Sequence, residues 1–172
     1  VSAGDTFFDT QEANVLVAAC GGATRAQTVL NGLQALQEQG AEADDWVLVH
    51  DAARCLVTPA QIDSLIDACV EDPVGGLLAL KLPDTLKQAH GDRVAQTVDR
   101  SDKWLAQTPQ MFRLAALQQA LLSAGDAVTD ESSAMEFVGL QPRLVEGSAQ
   151  NFKVTYPQDF ALAQAVLAAR KA

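Results

Sequence analysis

Residues 46–54 have the sequence Trp-Val-Leu-Val-His-Asp-Ala-Ala-Arg, in which an apolar run leads directly into a short polar loop. The run Trp46–Val49 predicts a short buried β-strand, and the loop 50–54 follows at the carboxyl end of that strand. Ligands of open α/β sheets bind beyond the carboxyl ends of the strands. We therefore predict that Asp51 and Arg54 line a binding site.

These two charged residues admit two interpretations from the residues alone. Asp51 and Arg54 stand three positions apart with alanines between them, which leaves room for a ligand. In that case Asp51 is suited to a hydroxyl group or Mg²⁺, and Arg54 to a phosphate. Alternatively, Asp51 caps its own loop and pairs with Arg54 without a ligand. His50 is interpreted as structural, because a single histidine after a strand is usually packed or hydrogen-bonded.

Outward from this loop, short apolar runs alternate with helical repeats, which predicts an α/β fold with a mostly parallel sheet. The predicted strands are Val15–Ala19, Trp46–Val49, Gly76–Leu82, Leu144–Glu146 and Phe152–Val154. The predicted helices are Thr24–Gln37, a helix that begins at Thr58-Pro59, Arg113–Ser123, Asp130–Phe137 and a closing helix from Pro157 to Arg170-Lys171.

The segment 83–104 differs from this alternation. It has few apolar residues, a turn signal at Gly91-Asp92 and a partly alternating run at Val94–Val98. This pattern predicts an extended β-hairpin that leaves the main body. The chain has no internal repeat and no linker, so residues 1–172 are interpreted as one domain with this hairpin as an arm.

The composition excludes several classes of protein. The net charge of −10 argues against a nucleic-acid partner, which needs clustered lysine and arginine. No apolar run approaches the roughly 20 residues of a membrane span, and no charged-then-apolar signal sequence opens the chain. Cys20, Cys55 and Cys69 form no CxxC motif or Cys/His cluster. Their spacing favours a reducing cytoplasm and argues against a zinc site.

A second candidate loop is Gly21-Gly22, which follows a predicted strand and precedes a predicted helix that carries Arg25 and Thr28. Glycines let backbone N–H groups approach a ligand closely, and a helix N-terminus favours anions. The alternative is a tight turn that binds nothing.

Several segments, in one order along nearly the whole chain, resemble the 2-C-methyl-D-erythritol 4-phosphate cytidylyltransferase family. They are Gly21–Val29, Val47–Arg54, Asp84–Lys87, Thr97–Arg100, Gln107–Gln110, Thr129–Ala134 and Lys153–Thr155. The resemblance implies a Rossmann-like nucleotidyltransferase fold with a protruding β-arm at 83–104, through which two subunits form a homodimer. It also implies a transferase of non-mevalonate isoprenoid synthesis that converts CTP and the methylerythritol phosphate into CDP-methylerythritol and pyrophosphate.

The resemblance also implies a role for individual positions. The nucleotide-binding residues would be Gly21, Gly22, Thr28 and Ala52. The residues around the polyol phosphate would be Asp51, Arg54, Thr85, Thr108 and the catalytic Lys153. The catalytic Arg100 would reach the substrate phosphate from the partner subunit, and Asp51 would also be a ligand of Mg²⁺.

The implied reaction explains why such residue types are needed. One phosphate must attack the α-phosphorus of another anion, so no general base is required and the obstacles are charge repulsion and alignment. Arg100 and Lys153 would align the attacking phosphate, while Mg²⁺ and further cations absorb charge on the triphosphate. Two alternatives stay open: a ribitol 5-phosphate cytidylyltransferase, and a catalytically silent dimerising remnant.

The chain departs from the family at its beginning. Family members open with a strand and a glycine-rich loop bearing an arginine and a lysine, and nothing before Val15 resembles that loop. We therefore expect the first part of a family member to be absent and the chain by itself to be inactive. Two smaller departures are Cys55 in place of proline and Thr28 in place of serine.

Overall fold

The computed structural model describes residues 1–6, 8, 12 and 14–170. Its contacts divide the chain into two compact units, residues 1–49 with 111–142 and residues 50–110 with 143–172. The predicted single domain over 1–172 stays a prediction. The elements are α1 Arg25–Glu38, β1 Trp46–Val49, α2 Pro59–Cys69, β2 Gly76–Lys81, β3 Leu86–His90, β4 Arg93–Val98, β5 Trp104–Arg113, α3 Leu114–Ala124, a 3₁₀ turn Gly125–Ala127, α4 Glu131–Phe137, β6 Arg143–Glu146 and α5 Pro157–Ala169.

The first unit has its core on one face of α3. Leu114, Leu117 and Leu121 recur at helical spacing on this helix, and all three are buried. α3 packs on α1 and α4, which carry the buried Leu33 and Met135. The apolar periodicity that predicts these helices therefore also identifies the core of this unit.

The second unit contains a parallel strand pair with a helix packed on it. Leu77, Leu78 and Ala79 in β2 are all buried, as expected of a strand that is covered on both faces. The parallel register of β2 with β6 is Gly76–Arg143, Leu77–Leu144, Leu78–Val145 and Ala79–Glu146. α2 packs on both strands and buries Leu65 and Cys69.

The predicted hairpin is confirmed as a separate two-stranded antiparallel sheet of β3 and β4. Its two-residue turn is Gly91-Asp92, where Gly91 adopts a left-handed φ of 62°. Such a turn favours glycine because glycine has no Cβ to clash. Nearly all residues of the two strands are exposed.

β5 is a strand that the sequence pattern does not predict. It lies in a four-stranded sheet of order β1-β5-β2-β6. Pro109 and several polar residues interrupt its apolar pattern. Gln107, Thr108 and Gln110 are nevertheless buried, and their side chains form hydrogen bonds with Ser148, His50 and the Gln107 carbonyl, respectively.

Two predicted strands are wrong. Val15–Ala19 is irregular, and Val15 and Leu16 are 44% and 60% exposed. An apolar run becomes a strand only when a neighbour supplies a hydrogen-bond ladder. Phe152–Val154 is also irregular, because the Val154 N–H bonds to the Ala53 carbonyl in a loop (2.8 Å).

The closing helix is confirmed as α5, which ends at Ala169; Lys171 lies outside the described residues. Across the part of the chain that the structure describes, every helix is too short or too polar to cross a membrane.

Candidate functional site

In the first unit, the glycine pair lies just before α1 and is held against its first turns. The Gly22 N–H donates to the Thr28 hydroxyl (3.0 Å), which donates to the Thr24 carbonyl (2.9 Å). A Cβ on Gly22 would overlap the Gln27 side chain, so a larger residue would displace the loop from the helix. The geometry thus explains the glycine and the hydroxyl, while nucleotide binding by Gly21, Gly22 and Thr28 stays a prediction.

Arg25 in the first turn of α1 forms a bidentate ion pair with Glu131 in the first turn of α4. The distances are 2.5 Å from Nη1 to Oε1 and 2.9 Å from Nη2 to Oε2. The Glu131 side chain is fully buried, whereas that of Arg25 is 35% exposed. A buried carboxylate is tolerated only with such a partner, so the pair ties α1 to α4 beside the glycine loop.

Replacing Glu131 with glutamine is expected to lower the free energy of unfolding by about 3 kcal/mol, because the ion pair of the buried carboxylate with Arg25 is lost. The low end of the usual range applies because Arg25 is partly exposed. Denaturant titration measures the loss. The matched control Glu136→Gln, at an exposed position of the same helix, should change stability by less than about 0.5 kcal/mol. Equal stabilities for the two variants would contradict the role assigned to the pair.

In the second unit, Asp51, Arg54 and Lys153 form a cluster of charges. The Asp51 Oδ2 lies 3.1 Å from Lys153 Nζ and 3.9 Å from Arg54 Nε. The Asp51 and Arg54 side chains are largely buried, whereas about half of the Lys153 side chain is exposed. The structure thus brings together three residues that the sequence indicated, and Asp51 pairs with both cations.

His50 and Thr108 hold the loop that carries Asp51. The Asp51 N–H donates to the Thr108 hydroxyl (3.0 Å), which lies 3.0 Å from His50 Nδ1. The His50 Nε2 lies 3.0 Å from the Arg54 carbonyl oxygen. Since a carbonyl only accepts, Nε2 carries a proton and donates to it. His50 is therefore structural, as predicted, and the buried Thr108 positions the Asp51 backbone.

The Arg54 guanidinium is oriented by two main-chain carbonyls. Nη1 donates to Asn151 O at 2.8 Å and Nη2 to Ala106 O at 3.2 Å. Burial lowers the pKa of Arg54, and the neighbouring Asp51 carboxylate opposes that shift. An arginine stays protonated in proteins despite such a shift, so the loop presents a fixed positive charge.

Arg54 and Lys153 are among the residues that line an open cleft of about 440 Å³. Leu80, Leu105 and Phe152 contribute apolar surface to the same cleft. Two cations beside one carboxylate suit a phosphate ester whose organic part carries hydroxyl groups. The cleft can therefore accommodate a small anion with both polar and apolar parts.

The remaining predicted residues lie outside this cluster. Thr85 is exposed just before β3, and Arg100 follows β4 with Nη1 3.4 Å from the Leu82 carbonyl. Within the described ranges, neither residue forms a hydrogen bond or ion pair with the cluster. Ala52 is exposed in the turn beside Asp51. The substrate, catalytic and nucleotide roles of these residues stay predictions.

The side chains available as metal ligands limit how Mg²⁺ could be held. Across residues 1–6, 8, 12 and 14–170, no three His, Cys, Asp or Glu side chains form a metal-binding group. The predicted ligand Asp51 is paired with Lys153. Mg²⁺ commonly keeps several waters and binds one or two carboxylates together with substrate phosphates. One carboxylate fits that mode, in which the triphosphate supplies most ligands, and does not fit a site made of protein alone.

Asn151 is a site residue that the sequence does not single out. Its side chain is fully buried, and its Nδ2 donates to the Thr108 carbonyl (2.9 Å). The sequence shows only a polar residue two positions before Lys153. Its burial arises from contacts with β5 and with Arg54, which are distant along the chain.

Comparison with known proteins identifies relatives over nearly the whole chain. The family model described as "IspD: 2-C-methyl-D-erythritol 4-phosphate cytidylyltransferase" matches residues 4–169. The bifunctional enzyme IspD/IspF of Albidiferax ferrireducens is 68% identical, over 99% of this chain and 41% of that protein. The 2-C-methyl-D-erythritol 4-phosphate cytidylyltransferase of Burkholderia vietnamiensis is 53% identical, over 96% of this chain and 73% of the relative. The chain thus spans under half of the first relative and most of the second.

Solved structures agree with these relatives. A crystal structure of 4-diphosphocytidyl-2C-methyl-D-erythritol synthase has a TM-score of 0.79 and 44% identity, over 86% of this chain and 69% of the other. The Francisella tularensis 2-C-methyl-D-erythritol 4-phosphate cytidylyltransferase has a TM-score of 0.77 and 38% identity, over 84% and 68%. The predicted α/β nucleotidyltransferase fold is confirmed.

Proposed function

This chain belongs to the 2-C-methyl-D-erythritol 4-phosphate cytidylyltransferase family, and from that premise we propose that its protein makes CDP-methylerythritol from CTP and 2-C-methyl-D-erythritol 4-phosphate. A phosphate oxygen of the polyol substrate attacks the α-phosphorus of CTP, and pyrophosphate leaves. The single observation that supports this most is the cluster of Asp51, Arg54 and Lys153, whose two cations line one cleft.

The cluster matches the needs of this reaction. Lys153, whose side chain is half exposed, is the residue able to contact an incoming phosphate directly. Arg54 is fixed by backbone carbonyls and supplies positive potential behind it. Asp51 accepts from hydroxyl groups of the polyol chain. These charges reduce repulsion between the two anions and align them, which is the main catalytic task when no proton must be removed.

The apolar surface of the cleft favours methylerythritol phosphate over ribitol 5-phosphate. Leu80, Leu105 and Phe152 offer contacts to a methyl branch, which ribitol lacks. One methyl group in an apolar environment is worth about 1–3 kcal/mol, so we expect kcat/KM to be at least about tenfold higher for methylerythritol phosphate. Pyrophosphate release with CTP and each polyol phosphate tests this. A preference for ribitol 5-phosphate would overturn the substrate, and no release with either would favour the silent remnant.

We also propose that Mg²⁺ accompanies CTP into the site. When bound, the ion would neutralise charge on the triphosphate, with Asp51 as a protein ligand. Removing divalent cations with EDTA is expected to abolish pyrophosphate release, while binding of the methylerythritol phosphate measured by calorimetry changes by less than about threefold. Full turnover in metal-free buffer would contradict this proposal.

Two further parts of the proposal concern assembly and location. The β3–β4 hairpin exposes nearly all its residues, and a two-stranded hairpin is only marginally stable alone in water. We propose that a second subunit covers it, which makes the protein a homodimer. A cytoplasmic location is supported by the three cysteines, all of which are free thiols.

A further inference from the structure

Asn151 links three parts of the chain around the cluster of Asp51, Arg54 and Lys153. Its Nδ2 donates to the carbonyl of Thr108 in β5 (2.9 Å), and its own carbonyl accepts from Arg54 Nη1 (2.8 Å). Two residues later the chain carries Lys153, whose Nζ reaches Asp51 (3.1 Å). The positions of both cations therefore depend on where Asn151 is anchored.

The side-chain amide of Asn151 is poorly suited to stabilising the fold. It is fully buried, yet its Oδ1 accepts no hydrogen bond from any residue that the structure describes. Burial of an unpaired acceptor is unfavourable, whereas an apolar residue of similar size would avoid this cost. The amide cannot be reversed to relieve it, because Oδ1 would then face the Thr108 carbonyl oxygen. The contribution of the amide is the hydrogen bond that Nδ2 donates to the Thr108 carbonyl in β5.

We infer that Asn151 is a positioning residue for the polyol-phosphate substrate, acting through Thr108, Arg54 and Lys153. The Asn151–Thr108 bond fixes the segment 150–154 to β5, and the same segment orients Arg54 and carries Lys153. This inference rests on the proposed function. A displacement of about 1 Å at such groups can lower the rate about a hundredfold.

The test compares Asn151→Leu and Asn151→Asp in the complete protein. Leucine has the same branched arrangement of side-chain heavy atoms without the donor or the unpaired acceptor, while aspartate keeps the shape and turns a carboxylate toward the Thr108 carbonyl. We expect kcat/KM for the methylerythritol phosphate to fall by about thirtyfold to a hundredfold in both, with KM for CTP within about twofold of wild type. The melting temperature of Asn151→Leu is expected to fall only modestly, because leucine removes the unpaired Oδ1 as well as the donor to the Thr108 carbonyl.

A matched control is Gln150→Ala. Gln150 is the neighbouring amide, and its side-chain oxygen accepts from Arg170 instead of contacting the cluster (3.2 Å). This variant should retain kcat/KM within about twofold of wild type.

The outcomes separate this inference from the proposed function. Calorimetric titration with 2-C-methyl-D-erythritol 4-phosphate alone should show affinity weakened about tenfold or more in both Asn151 variants. If the wild type binds this compound without transferring CMP, the proposed function fails and the titration still decides the role of Asn151. If the wild type neither binds nor transfers, both fail. Unchanged kinetics, an equal rise in KM for both substrates, or failure of both variants to fold would each overturn the positioning role.

Discussion

Replacing Lys153 with alanine in the complete protein is expected to lower kcat/KM by about two powers of ten, equivalent to about 3 kcal/mol of lost transition-state stabilisation. Lys153 is the cation of the cluster with the most exposed side chain, at 49%, so it is best placed to meet an incoming phosphate. Its removal also takes away the cation that lies 3.1 Å from the Asp51 carboxylate. Repulsion between Asp51 and the phosphate then rises. Steady-state kinetics with both substrates varied measures the effect.

The stability of the Lys153→Ala variant should scarcely change, because partly exposed ion pairs contribute little to folding. Lys103→Ala is the matched control: Lys103 is similarly exposed (45%) and pairs with Asp102 (2.6 Å). It removes the same charge and should keep kcat/KM within about twofold of wild type. If Lys153→Ala behaved like this control, Lys153 would not be part of the catalytic machinery.

The parts of the fold that could be predicted are those where local pattern and tertiary packing agree. The helix that begins at Thr58-Pro59 has the hydroxyl N-cap that its sequence predicts, together with a capping box. Trp46–Val49 is a strand, and the loop after it carries Asp51 and Arg54 into the cluster. Ligands of open α/β sheets bind beyond the carboxyl ends of the strands, so the order of the elements is enough to predict where this cluster lies.

The parts that could not be predicted depend on partners far along the chain. β5 contains Pro109 and buried polar side chains, and its strand character comes from neighbouring strands instead of an apolar pattern. Asn151 and Glu131 are polar residues that are fully buried in the fold, where Asn151 donates to the Thr108 carbonyl and Glu131 pairs with Arg25. Conversely, Val15–Ala19 has a strand composition but no strand geometry. Composition predicts what a segment prefers, whereas tertiary contacts decide what it forms.

Arg100 is predicted to be catalytic, but it lies outside the cluster of Asp51, Arg54 and Lys153. It lies at the base of the β3–β4 hairpin, and its guanidinium makes one long bond to the Leu82 carbonyl (3.4 Å). An exposed cation held this weakly is free to reorient toward another molecule. In the proposed homodimer, the hairpin would carry Arg100 into the site of the partner subunit.

Mixing the inactive variants Arg100→Ala and Lys153→Ala is therefore expected to restore about a quarter of wild-type activity. If Arg100 acts in trans, a mixed dimer has one site with both lesions and one site with neither. Random exchange makes about half of the dimers mixed, and each mixed dimer has one working site of two. Pyrophosphate release is measured after subunit exchange has been verified by mass spectrometry of differently labelled subunits.

The control is a mixture of Arg54→Ala with Lys153→Ala. These residues belong to one cluster in one chain, where both lie close to Asp51. Every site in that mixed dimer therefore carries one lesion, and no activity should return. Recovery in the Arg100 mixture but not in the Arg54 mixture would establish that Arg100 crosses the interface. Verified exchange without recovery in either mixture would show instead that Arg100 serves its own subunit, because each site would then still carry exactly one of the two lesions.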